Sequence, residues 1–172
     1  IVTLFLPYFL CESLSEISIQ ENVEIKYYHI DGSYMPTDID ESQLNEKTYI
    51  YFVNYYGLFR DKIKYLIDKY KYIIIDNTHD FFNKEHYNAD VIYNYRKYFG
   101  VPDGACIVSD SLKYNCNYSK GKSFDKVLEM LSRDETGKFF HYPTFLEADK
   151  HFRNEDLKYM SNFTENYLHA ID

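Results

Sequence analysis

TYIYFVNYYGLFRDKIKYLIDKYKYIIIDN, residues 48–77, decides the fold. Thr48–Val53 is a strongly β-favouring run, and Gly57 breaks it. The spacing predicts an amphipathic helix over Leu58–Lys71, with Leu58, Ile63, Leu66, Ile67 and Tyr70 turned to the core. Tyr72–Ile75 is then a near-continuous apolar strand ending at Asp76. Two such strands joined by a helix are the unit of a parallel sheet, whose strands are apolar because both faces are covered.

The same pattern extends in both directions. Ile1–Leu6 reads as a buried strand stopped by Pro7, followed by a helix over Phe9–Ile17 with Leu10, Leu14 and Ile17 on one face. Val23–Ile30 alternates and predicts a second strand, and Asp31-Gly32-Ser33 opens a polar loop running through Pro36. Ala89–Tyr93 and Ala105–Ser109 predict two further strands. Helices are expected over Phe124–Leu131 and Asn154–Ala170, the second with an apolar set of Leu157, Met160, Phe163, Tyr167 and Leu168, preceded by Phe152. The fold class is therefore α/β, a mostly parallel sheet flanked by helices. A polar stretch at Lys113–Lys122, with Gly121, marks the boundary between residues 1–112 and a helical C-terminal segment over 113–172.

Composition bounds the function classes. A chain of 172 residues that is 45% hydrophobic and 27% charged has a real core and room for one domain. Its net charge of −8 argues against nucleic-acid binding, which needs a positive surface to displace counterions. Twenty Tyr against no Trp fit an AT-rich coding bias and carry no functional weight. Cys11, Cys106 and Cys116 show no CxxC spacing, which predicts reduced thiols and a cytoplasmic location. The apolar start lacks a basic leader and is too short to span a bilayer, so no membrane association is expected. Asn117-Tyr118-Ser119 and Asn162-Phe163-Thr164 match glycosylation acceptors, but chance matches are common in an Asn-rich chain. His29 reads as structural, and His86, His141, His151 and His169 have no metal-ligand spacing, so no metal is expected. A start at Ile1, inside a strand, suggests a piece of a longer protein.

Chemistry is expected where strands end, because open α/β sheets collect ligands at their carboxyl ends. Three polar clusters stand there: Asn54-Tyr55-Tyr56-Gly57, Asp76-Asn77-Thr78-His79 and Asn94-Tyr95-Arg96-Lys97. Each alone reads as ordinary: an Asp after a strand is usually a turn residue, and a lone Lys a surface charge. Together they suggest one pocket. Lys97, flanked by aromatic residues and preceded by Arg96, suits a Schiff-base amine, since a neighbouring cation favours its neutral form. Asp76, fixed at a strand end, would keep a heteroaromatic nitrogen protonated. His79 would donate to a phenolic oxygen or stack on a ring.

The segments IIIDNTHDFF (73–82) and ADVIYNYRKYFGVPDGACIVSD (89–110) resemble the aspartate and lysine segments of fold-type I pyridoxal-phosphate (PLP) enzymes, and most of all the DegT-type sugar aminotransferase family. LFLPYFLCESL, VEIKYYHIDGSYMPTDID and YFVNYYG are similar to that family's earlier strands, so the likeness covers about two-thirds of the chain. The resemblance implies part of the large domain of such enzymes, with pyridoxal 5'-phosphate as cofactor. It implies Lys97 as the Schiff-base residue, Asp76 on the pyridine nitrogen, His79 beside the phenolic oxygen with Asn54 nearby, and Asn94 where many members carry a phosphate-binding Ser. It also implies an amino-acid donor, a nucleotide-linked keto-sugar acceptor and a homodimer. Arg96 is a candidate for the donor carboxylate by proximity.

Departures from the pattern are specific. Cys11 stands where the ring-stacking aromatic is expected, and Lys97 follows Asp76 by only 21 residues. The family's upstream Gly/Ser/Thr phosphate cradle and most of its small C-terminal domain have no counterpart in these residues. The alternative reading is a non-catalytic, truncated or degenerate relative with a structural or interaction role. An unrelated nucleotide-binding α/β domain ranks last, since no Gly-rich phosphate loop is present.

Overall fold

A computed structural model describes residues 1–111, 117–136 and 157–171, leaving aside the side chains at 17, 20 and 136. Cys116, His141, His151, Phe152 and the expected helix start at Asn154 lie outside the described residues, as does the Ile17 side chain. The chain divides into two compact units, Ile1–Asn94 with Cys106–Leu112, and Tyr95–Ala105 with Lys113–Asp172.

The first unit carries a mixed, mostly parallel six-stranded sheet in the order β2-β1-β3-β4-β5-β6. Its strands are β1 (Thr3–Pro7), β2 (Glu24–Tyr28), β3 (Thr48–Val53), β4 (Ile73–Asp76), β5 (Asp90–Asn94) and β6 (Ala105–Val108). β1 runs parallel to both β2 and β3, β3 to β4, and β4 to β5. The Ser109 hydroxyl, just past β6, donates to Asp90 at the start of β5, so β6 runs the other way.

Helix α1 (Glu12–Gln20) connects β1 to β2, and α2 (Arg60–Lys69) connects β3 to β4. These two crossovers leave the adjacent pair β1 and β3 in opposite directions along the sheet. Right-handed connections therefore place their helices on opposite faces. The core divides accordingly. On the α2 face, Phe5, Ile50, Phe52, Ile73, Ile75 and Val91 pack with Ile63, Leu66 and Tyr70. On the other, Leu6, Tyr51 and Val53 pack with Leu4, Leu10, Leu14, Ile74 and Ile92. The even and odd residues of β3 thus serve two cores, which is why TYIYFV has no polar position after Thr48.

Boundaries shift from the expected ones for local reasons. Helix α1 starts at Glu12, three residues after Phe9, because the Phe9 carbonyl accepts the Tyr55 hydroxyl and its ring packs on Tyr55 at 5.4 Å. It ends in a Schellman motif: Asn22 takes a left-handed φ of 55°, and the Asn22 and Val23 N–H groups bond back to Ile19 and Ser18. Helix α2 is shorter than expected, and Leu58, expected in the core, is exposed in the turn before it.

The second unit contains α3 (Phe124–Thr136) and α4 (Asn162–Ile171). Helix α4 begins later than expected because Ser161 caps it: the Ser161 hydroxyl accepts the Thr164 N–H. Asp103 anchors that start, accepting the Ser161 N–H and the Thr164 hydroxyl. Gly104, at φ 106°, is required next to it, since a Cβ there would lie 3.1 Å from the Thr164 methyl. No helix among the described residues is long and apolar enough to cross a membrane.

Candidate functional site

The carboxyl ends of β3 and β4 carry a hydrogen-bonded polar rim. Asp76 ends β4, buried, and both its oxygens are held: the Tyr51 hydroxyl donates to Oδ2 at 2.9 Å and the Thr78 N–H to Oδ1 at 2.8 Å. Tyr51 lies on the neighbouring strand, two register positions before the Val53–Asp76 pair, so the sheet itself sets this bond. Burial, and then the Asp76 charge, push the Tyr51 hydroxyl well above the usual tyrosine range. The Tyr55 hydroxyl is pushed up to about 12, again by burial first and Asp76 second. Both therefore stay protonated, Tyr51 donating to the carboxylate and Tyr55 to the Phe9 carbonyl.

Asn54, fully buried at the end of β3, faces the loop after β4. Its amide donates to Asn77 Oδ1 at 3.0 Å and to Asp80 Oδ2 at 3.2 Å, and its oxygen accepts the Phe59 N–H at 3.0 Å. Asp80, also buried, is the hub. Arg60 binds it through both Nε and a terminal nitrogen, and the Asn83 amide donates to it at 3.1 Å. Asn83 in turn donates to the Tyr87 hydroxyl at 2.8 Å. This network fixes the loop carrying His79 against the start of α2.

His79 is half-buried, and its Nδ1 accepts the Tyr56 N–H at 3.3 Å, with the two rings stacked at 5.8 Å. Nδ1 as acceptor places the ring proton on Nε2 in the neutral histidine. The Tyr56–Gly57 turn that supplies this N–H is left-handed at both residues, φ 57° and 70°. Gly57 has no substitute there: a Cβ would stand 2.8 Å from the His79 carbonyl oxygen.

Of the five residues singled out from sequence, four belong to the first unit: Asn54, Asp76, His79 and Asn94. Asn54, Asp76 and His79 lie on one rim. Asn94 is the last residue of β5 and half-buried. Lys97 belongs to the second unit, exposed in a turn closed by Tyr98 and Phe99 N–H bonds to the Tyr95 carbonyl. Arg96 precedes it in the same turn and is exposed as well.

The donor set can be tested against a pyridoxal cofactor. A carboxylate offers about four lone-pair positions, and Asp76 uses two, so it keeps capacity for a ring N–H. The His79 Nε2–H is the right polarity for a phenolic oxygen. Asn54 differs: both amide hydrogens and the oxygen already hold the rim together. Asp76 and His79 fit the group, while Asn54 serves the loops around it. Sequence reasoning missed Tyr51, Arg60 and Asp80, which orient this rim. Their signal is one of register and loop packing, with no motif to betray it.

A second polar constellation lies at the opposite, amino edge of the sheet. Tyr49, Lys71, Tyr72, Asp90, Asp110 and Ser111 line an open cavity of about 330 Å³ there. Asp110 pairs with His86 at 3.3 Å. Among the described residues, no group of three or more His, Cys, Asp or Glu side chains is placed to hold a metal ion. No protein-family model, curated protein or solved structure matches the sequence.

Proposed function

We propose that this chain carries the aspartate and lysine elements of a PLP-dependent, aminotransferase-like protein. Lys97 would be its Schiff-base residue, Asp76 the partner of the pyridine nitrogen, and His79 the neighbour of the phenolic oxygen. The observation that carries this reading is Asp76: a buried carboxylate at the carboxyl end of a central parallel strand, aimed by Tyr51 and Thr78, with lone pairs left over. The likeness of residues 73–82 and 89–110 to the DegT-type family supports it from the sequence side.

When bound, such a group supplies an electron sink for the pair left behind as an amino acid loses its Cα proton. Asp76, ionised, would hold the ring nitrogen protonated. Tyr51, kept protonated by burial, fixes which way that carboxylate points. His79 would offer its Nε2 proton, with Nδ1 fastened by the Tyr56 backbone. Lys97 would supply the amine and move the proton at Nζ. Asn94 would contribute an amide to a phosphate, and an amino-acid donor and a nucleotide-linked keto-sugar would be the substrates. A homodimer in the cytoplasm completes the proposal.

A second reading has its own observation. Asn54 and Asp80 are fully engaged by protein partners, which suits a non-catalytic α/β module that keeps the rim for folding or association. One titration separates the two. Added to the chain, PLP is expected to produce an absorbance band near the visible edge that Lys97→Ala removes and Asp76→Ala weakens. A wild-type chain that shows no band, with its circular dichroism intact, would establish the non-catalytic module.

A further inference from the structure

In the strand order, β1 and β3 are neighbours whose connections depart in opposite directions. The gap between their carboxyl ends is the topological switch point, where open α/β sheets take ligands. In this protein the gap is framed by aromatic rings: Phe9 after β1, Tyr55 after β3, and Phe59 ahead of α2. It is filled by Tyr34, whose ring centroid lies 5.1 Å from Tyr55, 5.3 Å from Phe59 and 6.4 Å from Phe9.

Tyr34 is delivered by a loop that closes on itself. Ile30 and Pro36 form an isolated antiparallel bridge at its base, and Asp31 accepts the Ser33 and Met35 N–H groups within it. Tyr34 itself holds φ 61°, a left-handed conformation unfavourable for a tyrosine. The ring is thus kept in the gap against a backbone preference, on a short loop closed at its base. Lys62 on helix α2 holds the loop through its Nζ, which donates to the Ser33 carbonyl at 3.2 Å and also lies 5.3 Å over the Phe59 ring, while Met35 packs on the core beneath.

We propose that Tyr34 is a displaceable plug in a binding site for a planar aromatic ring carrying an anionic group. With the loop swung out, Phe9, Tyr55 and Phe59 offer ring faces and edges to a flat ligand. Lys62, released from Ser33 at the same moment, meets its negative charge at the mouth. This site uses neither Lys97 nor Asp76 and does not rest on the function proposed above.

The absence of tryptophan makes the test direct, because the fluorescence of an indole probe is read without background. Tyr34→Gly removes the plug, and glycine accepts φ 61° without strain. Tyr34→Gly is expected to bind indole-3-acetate at least about ten-fold more tightly than the wild type. On that background Lys62→Gln weakens indole-3-acetate but leaves plain indole unchanged, and Lys97→Ala leaves both unchanged. If Tyr34→Gly does not fold, Tyr34→Asn, which also tolerates the left-handed region, takes its place. Equal affinity of the wild type and a folded plug-less variant would overturn the proposal, as would equal losses of both probes on Lys62→Gln. Failure of PLP to bind leaves this result untouched, so the two readings fall separately.

Discussion

Asp80 shows how a single buried carboxylate organises the rim. It accepts from Arg60, Asn54 and Asn83, three donors drawn from the start of α2, the end of β3 and its own loop. Removing the acceptor takes one of two hydrogen bonds from each of two buried amides, which keep Asn77 and Tyr87, and strips the guanidinium of its carboxylate, though water can reach the half-exposed Arg60 side chain. Asp80→Ala is therefore expected to lower the unfolding free energy by about 3 kcal/mol in urea denaturation. Loss of less than about 1 kcal/mol would mean that the loop is held by something other than this hub. Gly57 tests the same rim through the backbone. Alanine there meets both the left-handed φ and the 2.8 Å approach to the His79 carbonyl. Gly57→Ala should cost at least about 2 kcal/mol and change the His79 ring resonances in nitrogen-15 NMR, since the Tyr56 N–H that holds Nδ1 moves with it. At this scale the sequence revealed candidates but not partners. Asp76 and His79 stand out because they lie at or just past a strand end, while Tyr51, Arg60 and Asp80 matter through contacts across 20 to 26 residues of chain.

Elements were legible where apolar periodicity is strong and less so where side chains decide the ends. The residues 48–77 gave strand, helix and strand in the right order, yet α2 begins at Arg60 because Phe59 and Leu58 belong to the turn that Asn54 organises. Likewise, the Tyr55 hydroxyl bond to Phe9, invisible in a local window, delays α1. The 30–36 loop was read only as polar. Its structure rests on Asp31, whose carboxyl is held below its ordinary value of 3.8 first by the Met35 N–H, then by the Ser33 N–H, with Lys62 adding attraction. A lowered folded-state value means that this stabilisation is complete above the unfolded value of 3.8 and is lost as pH falls through the lower folded one. Acidification below 3.8 should therefore loosen the loop, seen as faster exchange of the Ser33 and Met35 amides, and Asp31→Asn should show that exchange already at neutral pH. If the Asp31→Asn loop exchanges at the wild-type rate, the carboxylate does not hold it.

For the molecule as a whole, the parallel sheet followed from strands without polar positions, since only strands covered on both faces can be apolar throughout. The order of strands did not follow from pattern alone, nor did the switch point between β1 and β3, because pairing is a long-range choice. The same arrangement predicts where stability resides. β3 and β4 sit inside the sheet with both faces buried, whereas β6 lies at the edge and exposes Ala105, Ile107 and Val108. Opening an edge strand breaks one ladder, but opening β3 breaks two and exposes both cores, so its amides should report the global unfolding free energy. Native-state hydrogen exchange is expected to be slowest over Ile50–Val53 and Ile75–Asp76 and orders of magnitude faster over Cys106–Val108. Ile75→Ala, which empties a fully buried position beside Leu66 and Phe52, should cost about 2–5 kcal/mol and speed the slow set without altering the fast one. Uniform acceleration of both sets would show that β6 opens only with the whole sheet, making the six strands a single cooperative unit.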